Sequence, residues 1–178
     1  VLTLANVQTT ITGNYIDNAS IEWTNEHSAR PDFSGNEYSF GGLTITGNTF
    51  LCSNTVNWFT WLTMKPYGSG HFIHGLTVAG NVFKALYGNV SRIDRVDTSF
   101  ADLDYNQMRN IQFEGNMFNG IDTYVANPLM LTHTQATASA SWTVPVVQGL
   151  PFQGWTTAVQ SVVAETALTT ASGGRINE

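Results

Sequence analysis

An eight-residue phrase that occurs four times constrains this chain more than any other feature. It reads TTITGNYI at residues 9–16, LTITGNTF at 43–50, LTVAGNVF at 76–83 and IQFEGNMF at 111–118. The glycines of successive copies are 34, 33 and 35 residues apart. A regular period of this length is typical of solenoids and propellers, in which each repeat packs on the next.

Each copy of the phrase predicts a strand followed by a tight turn. Apolar or β-branched residues stand two and four positions before each glycine, which is the period of a strand with one buried face. The Gly-Asn pair then supplies two residues that tolerate left-handed backbone angles. An apolar residue three positions after each glycine should point back into the core; these residues are Ile16, Phe50, Phe83 and Phe118. Stacked repeats would also align Asn14, Asn48, Asn81 and Asn116 in one hydrogen-bonded column.

The residues between the copies argue against helical repeats and propeller blades. Strand-like stretches, rather than a 3.6-residue period, occupy 21–23, 56–64, 90–96 and 121–125. A propeller blade needs four strands in about 40–45 residues, whereas this shorter period suits a β-helix coil that carries a loop. We therefore predict an all-β chain: a right-handed parallel β-helix of about four coils over residues 1–130 and a partial antiparallel β domain over residues 131–178.

The C-terminal part differs from the repeats in composition. Small and hydroxyl-bearing residues dominate after residue 131, and the β-branched residues between 158 and 170 favour a strand. The chain begins in a strand-like stretch without a methionine and stops before a returning strand is complete. We therefore expect a fragment of a longer protein that ends within a β-sandwich-like or trimerisation domain.

Charge and composition narrow the range of partners. Charged residues make up 11% of the chain, against about 25% in an ordinary soluble protein. The formal net charge is −6, and the seven Lys and Arg residues form no basic stripe that could bind nucleic acid. No apolar run approaches the ~20 residues that span a bilayer, so membrane insertion is not expected. The single cysteine, Cys52, is predicted to be a buried core residue.

Three copies, Leu43–Phe50, Leu76–Phe83 and Ile111–Phe118, resemble the parallel β-helices of the pectate-lyase-like superfamily, which includes phage tailspikes and surface polysaccharide depolymerases. The resemblance covers about residues 1–130. It implies a homotrimer, extracellular or in a virion tail, that recognises a bacterial surface polysaccharide with or without cleaving it. One such fold hosts many chemistries. A non-catalytic structural fibre or adhesin and a secreted polysaccharide lyase therefore stay open as alternatives.

Three loops at residues 24–42, 65–75 and 97–110 are expected at equivalent points of successive coils, where insertions often form a binding face. Their aromatic and acidic side chains are typical of a glycan-binding groove. The alternative is that the rings pack the loops onto the coils and the acids are ordinary solvated charges. The candidate ligand-binding residues, from these loops and the strands beside them, are Trp58, Trp61, Tyr67, Arg95, Asp102, Asp104 and Tyr105.

Three carboxylates, Glu22, Asp94 and Asp97, are the candidates for catalysis. Glycoside hydrolysis needs two carboxylates roughly 5–9.5 Å apart, and coils about 4.8 Å apart could bring Glu22 towards the other two. On a strand, Asp94 would share a face with Arg92, and Asp97 would share the opposite face with Arg95. Surface ion pairing is therefore the alternative explanation. The spacing of polar residues predicts neither a metal site nor a cofactor.

Overall fold

The computed structural model describes residues 2–4, 8–25, 40–137 and 139–163, and within these ranges there is no α-helix. The strands are β1 Leu2–Leu4, β2 Thr9–Thr12, β3 Tyr15–Asp17, β4 Ile21–Thr24, β5 Phe40–Thr46, β6 Thr49–Cys52, β7 Leu62–Lys65, β8 Ile73–Ala79, β9 Val82–Ala85, β10 Asp94–Val96, β11 Arg109–Glu114 and β12 Met117–Asn119. Each is short, as the alternating pattern between turn residues predicts.

The strands of the described residues form three four-stranded sheets in which every pairing is parallel. Sheet A contains β1, β4, β7 and β10; sheet B contains β2, β5, β8 and β11; sheet C contains β3, β6, β9 and β12. From β2 onward the chain passes through the sheets in the order B, C, A. Each complete repeat therefore adds one strand to each of the three sheets. We call one such unit a coil. Stacked parallel strands of this kind are compatible with a β-helix-like fold.

The core lies between the three sheets and is built from columns of equivalent residues. In sheet B, Ile11 pairs with Ile45, and Val78 pairs with both Ile45 and Phe113. All four side chains are buried. On sheet C the rings of Phe50, Phe83 and Phe118 stack at centroid distances of 4.7 and 5.9 Å. Burial of each such side chain contributes about 1.5–3 kcal/mol, so the repeated apolar positions stabilise the stack.

The predicted asparagine column is confirmed. The Nδ2 group of each asparagine donates to Oδ1 of the next, at 3.1 Å from Asn14 to Asn48, 2.9 Å from Asn48 to Asn81 and 3.0 Å from Asn81 to Asn116. The glycine before each asparagine has a φ between +61° and +68°. An L side chain is disfavoured at that angle, which explains why the turn uses glycine.

The C-terminal part of the described chain returns to the last coil. Phe152 is 2% exposed, and its ring packs edge-on against Phe113 at a centroid distance of 5.9 Å. Residues 131–137 and 139–163 contain no strand, only the 3-10 turns Val147–Gly149 and Pro151–Gln153. The partial antiparallel domain stays a prediction, and residues 164–178 lie outside the described residues.

Three predicted strand-like stretches are shorter in the structure, and of the stretch 90–96 only Asp94–Val96 forms a strand. The stretch 56–64 begins with a turn closed by a hydrogen bond from Phe59 N to Val56 O, and strand β7 starts only at Leu62. Trp58 and Trp61 therefore do not lie on one strand. Of the stretch 121–125, only Ile121 pairs, through an isolated bridge with Val90.

Candidate functional site

Charged side chains gather on the side of sheet A that faces away from the core. Glu22 of β4 pairs with Thr63 of β7, which pairs with Arg95 of β10. Lys65 ends β7, and Asp97 follows β10 with its backbone N–H 2.7 Å from the carbonyl of Met64. Because side chains alternate along a strand, these five residues share one surface. We call it the outer face of sheet A, defined by Glu22, Thr63, Lys65, Arg95 and Asp97.

Lys65 lies against a pair of aromatic rings at one edge of this face. Its Nζ atom is 5.6 Å from the ring centroid of Tyr67 and 5.5 Å from that of Phe100. The two rings stack on each other at 4.3 Å. Burial lowers the pKa of Lys65, but the hydrogen bond to Tyr67 and the negative charges of Glu22 and Asp97 outweigh it, so the pKa is raised. Lys65 therefore stays a cation, and it is a poor candidate for a lyase base.

Asp97 is held in its ionised form. The Ser99 hydroxyl donates a hydrogen bond to Oδ1 of Asp97, and the Ser99 backbone N–H donates to the same atom at 3.1 Å. These bonds, with the charges of Arg95 and Lys65, lower the pKa of Asp97 against a smaller opposing effect of burial. An ionised carboxylate of this kind can accept a hydrogen bond from a sugar hydroxyl, and its lowered pKa makes it a weak base.

The opposite edge of the face carries an exposed indole. Trp58 is 69% exposed and lies in the turn that leads into β7. The backbone carbonyl of Trp58 accepts a hydrogen bond of 3.3 Å from Arg95 Nη1. The outer face of sheet A is thus bordered by Trp58 on the side where β7 begins and by Tyr67 and Phe100 on the side where the strands end.

Asp94, predicted as a catalytic carboxylate, points into the core instead. It pairs with Leu62, which in turn pairs with Ile21, so it occupies an inward column, and it is 0% exposed. Arg92 forms a salt bridge with it at 3.1 Å, and the backbone N–H of Phe152 donates to its Oδ2. Burial raises the pKa of Asp94, and the charge of Arg92 and the bond from Phe152 oppose this. The predicted Arg92–Asp94 pair exists, but it fastens the C-terminal segment rather than lying on a surface.

Trp61, predicted as a ligand-binding residue, is also a core residue. It is 0% exposed and packs edge-on against Phe59 at a centroid distance of 5.3 Å. It directly precedes β7, so the chain turns inward at this point. A fully buried indole offers no face to a ligand, whereas Trp58, three residues earlier, does.

The remaining predicted residues lie in the loop between β10 and β11. Tyr105 is hydrogen-bonded to Asp102, and burial, followed by the charge of Asp102, raises the pKa of Tyr105 to about 12. The ring of Tyr105 also stacks on that of Trp155 at 6.2 Å. Asp104 caps the 3-10 turn Tyr105–Gln107 by accepting from the backbone N–H of Asn106 at 3.1 Å. Asp104 therefore orders the loop, and Tyr105 joins the loop to the C-terminal segment.

The loops follow the predicted arrangement in part. The loops after β4, β7 and β10 all connect sheet A to sheet B, so they lie at equivalent points of successive coils. Most of the first loop, including Asp32, Phe33, Glu37 and Tyr38, lies outside the described residues. Sequence reasoning missed Thr63 and Lys65. They could have been found by aligning β7 with β4, because Thr63 pairs with Glu22 and Lys65 follows two residues later on the same side of the strand.

The described part of the chain contains no cluster of three or more His, Cys, Asp or Glu side chains suited to a metal ion. Cys52 is buried, as predicted. Within the same residues no helix is long and apolar enough to cross a membrane. Comparison with protein-family models, curated proteins and solved structures finds no match for this chain.

Proposed function

We propose that this chain is part of a right-handed parallel β-helix, similar to phage tailspikes, that binds a bacterial surface polysaccharide along the outer face of sheet A. One observation carries the proposal: in a chain with only 11% charged residues, four charges lie together on one face that exposed aromatic rings border on both sides. Sugar rings pack their C–H groups on aromatic faces, and their hydroxyls bond to charged side chains.

The outer face of sheet B provides a contrast. Its solvent-facing positions carry Thr10, Thr44, Thr77 and Gln112 in one column and Thr12, Thr46, Ala79 and Glu114 in the next, so this face has one charge and no aromatic ring in these columns. Threonine suits the outer surface of a strand for reasons of β-propensity alone. The grouping of charges and aromatic rings on sheet A has no such general explanation, which supports sheet A as the recognition surface.

The experiment that tests the proposal is a binding screen against immobilised bacterial surface polysaccharides. The wild-type chain is compared with the double variant Trp58→Ala, Phe100→Ala. The control is Trp142→Ala, which removes another exposed indole, in the segment that follows the last strand. We expect wild type and control to bind the same polysaccharides and the double variant to bind at least tenfold more weakly, because covering an aromatic side chain with a sugar ring removes apolar surface from water and contributes about 1.5–3 kcal/mol when burial is complete. Equal binding by all three proteins would contradict the proposal.

Cleavage of the bound polysaccharide is an extension of this proposal. Glu22 and Asp97 are the two carboxylates on the face, with backbones about 12 Å apart from two strand spacings and two residues along the strand. Side chains that lean together across that gap would approach the 6.5–9.5 Å separation of an inverting hydrolase. Release of reducing ends that is lost in Glu22→Gln and in Asp97→Asn would support hydrolysis, and an unsaturated product absorbing in the ultraviolet would instead indicate a lyase.

A non-catalytic structural fibre is the second candidate, and the threonine-rich outer columns of sheet B, which carry the single charge of Glu114, favour it. For such a fibre, the screen would find no polysaccharide bound by the wild-type chain. Light scattering tests the proposed homotrimer separately: a molar mass near three times 19.4 kDa would support it, and a mass of one chain would contradict it.

A further inference from the structure

Arg95 is a guanidinium fixed in place by neutral partners. Its Nε atom donates to Oγ1 of Thr63 at 3.2 Å, and its Nη1 atom donates to the carbonyl of Trp58 at 3.3 Å. Thr63 is itself buried in strand β7. Two bonds to a strand and a turn hold the long side chain in one orientation, so less side-chain entropy is lost when Arg95 binds a ligand.

The positive charge of Arg95 is not neutralised by a contact within the described residues. The salt bridge that the structure describes there joins Arg92 to Asp94, on the inward side of the same strand. Asp97 is close enough to Arg95 for their charges to attract. However, the Oδ1 atom of Asp97 accepts both hydrogen bonds from Ser99, and Asp97 also interacts with the charge of Lys65. Arg95 therefore keeps its positive charge on an exposed side chain without a direct salt bridge among the described residues, in a protein whose formal net charge is −6.

The donors of Arg95 that remain free suit a planar anion. A guanidinium has five N–H groups in a fixed fork, and two of them are used by Thr63 and Trp58. The others can form the parallel pair of bonds with which arginine binds carboxylates. The residue that holds Nη1 through its carbonyl, Trp58, exposes 69% of its surface and can offer an apolar platform to a sugar ring beside the fork.

We infer that Arg95 and Trp58 form a subsite for an acidic sugar, with the sugar carboxylate on the guanidinium of Arg95 and the sugar ring against the indole of Trp58. This inference rests on the proposed function and names its ligand class: the polysaccharide carries uronic acid or another carboxylate-bearing sugar. Lys65 contributes less, because Glu22 and Asp97 already face its charge.

The test uses three polysaccharide probes: a set of uronate-containing bacterial polysaccharides, the same polymers after reduction of their carboxyl groups to alcohols, and a phosphodiester-linked polysaccharide without uronate. The protein is the full chain as wild type, Arg95→Gln and Arg95→Lys. Lys84→Gln is the matched control, because it removes one positive charge from an exposed position on sheet C. All four should give the same circular dichroism spectrum, since both substituted side chains are exposed.

We expect the wild-type chain and Lys84→Gln to bind uronate polymers and to lose roughly 10- to 100-fold in affinity when the carboxyls are reduced. Arg95→Gln should show the same loss on the unreduced polymer. Arg95→Lys should fall between, because it keeps the charge without the fork. If neither carboxyl reduction nor Arg95→Gln changes the affinity, this inference is overturned while the proposed function stands. A preference for the phosphodiester polymer would have the same meaning. Failure to bind any polysaccharide overturns both.

Discussion

The asparagine ladder makes the most quantitative prediction about the fold, at Asn81. This side chain is 0% exposed and takes part in four hydrogen bonds. The Oδ1 atom of Asn81 accepts from the backbone N–H of Asn48 at 3.0 Å and from the Nδ2 group of Asn48 at 2.9 Å. The Nδ2 group of Asn81 donates to the carbonyl of Ile45 at 2.9 Å and to Oδ1 of Asn116 at 3.0 Å.

Asn81→Ala removes all four bonds and leaves the buried N–H of Asn48 without a partner. At about 1 kcal/mol net for each bond, the loss is about 4 kcal/mol, and an unsatisfied buried group adds to it. That is a large share of the 5–15 kcal/mol by which an ordinary domain is stable. The isosteric variant Asn81→Asp should lose at least as much, because it replaces the two donated bonds by contacts between oxygens and buries a charge.

Asn14→Ala is the matched control for the ladder. Asn14 is exposed and accepts no bond from another ladder asparagine among the described residues, so water can replace the bonds that its amide donates to Asn48 and to Thr12. We expect a loss below about 1 kcal/mol for this variant. The assay is urea unfolding followed by circular dichroism, with the midpoints compared at constant slope. Equal losses for Asn81→Ala and Asn14→Ala would refute the idea that the buried ladder stabilises the stack.

Two further predictions concern the turn glycines and the buried carboxylate. Gly80→Ala should lower the free energy of unfolding by about 1–2 kcal/mol, from the φ of +62° alone, since an added Cβ would meet no atom within 4 Å. Gly80→Asn should lower it by less, because asparagine tolerates this backbone angle better than alanine. Equal urea midpoints for the wild type and both variants would contradict this. Burial raises the pKa of Asp94 above its ordinary 3.8, with Arg92 and Phe152 opposing, so the folded chain binds this proton more tightly than the unfolded chain does. The wild type should therefore lose stability relative to Asp94→Asn as pH rises from below 3.8, where both states bind the proton, through the raised pKa of the folded chain, and unfolding profiles that stay parallel over that range would count against the assignment.

The parts of the fold that repeat could be predicted from the sequence. The phrase that contains Gly80 and Asn81 recurs at a fixed interval, so the strands of sheets B and C, the turn between them and the asparagine column follow from local chemistry. Sheet A carries no such phrase, and its register depends on loops of unequal length. For this reason the inward direction of Asp94 and the outward alignment of Thr63 with Glu22 and Arg95 became visible only in the structure.

Long-range contacts account for the rest of what was missed. The bond from Phe152 to Asp94 joins residues 58 positions apart, and no local pattern links them. The same holds for Arg92, which donates to the carbonyl of Leu150 at 2.9 Å. A buried carboxylate at a position equivalent to Leu62 looks like a surface residue until its partners from the C-terminal segment are in place. Of the predicted site residues, Asp94 and Trp61 are buried in the core, whereas Trp58 is exposed beside the outer face of sheet A.

Hydroxyl-radical footprinting with a bound polysaccharide tests the central claim most directly, because it reports where on the surface the polymer lies. The polysaccharide would be the tightest binder from the screen, and oxidation of each aromatic and methionine side chain would be measured with and without it. Binding along the outer face of sheet A predicts protection of Trp58, Tyr67 and Phe100, with Tyr87 and Met117 near sheet C unchanged. Protection of Tyr87 and Met117, with Trp58 and Phe100 still oxidised, would contradict the account.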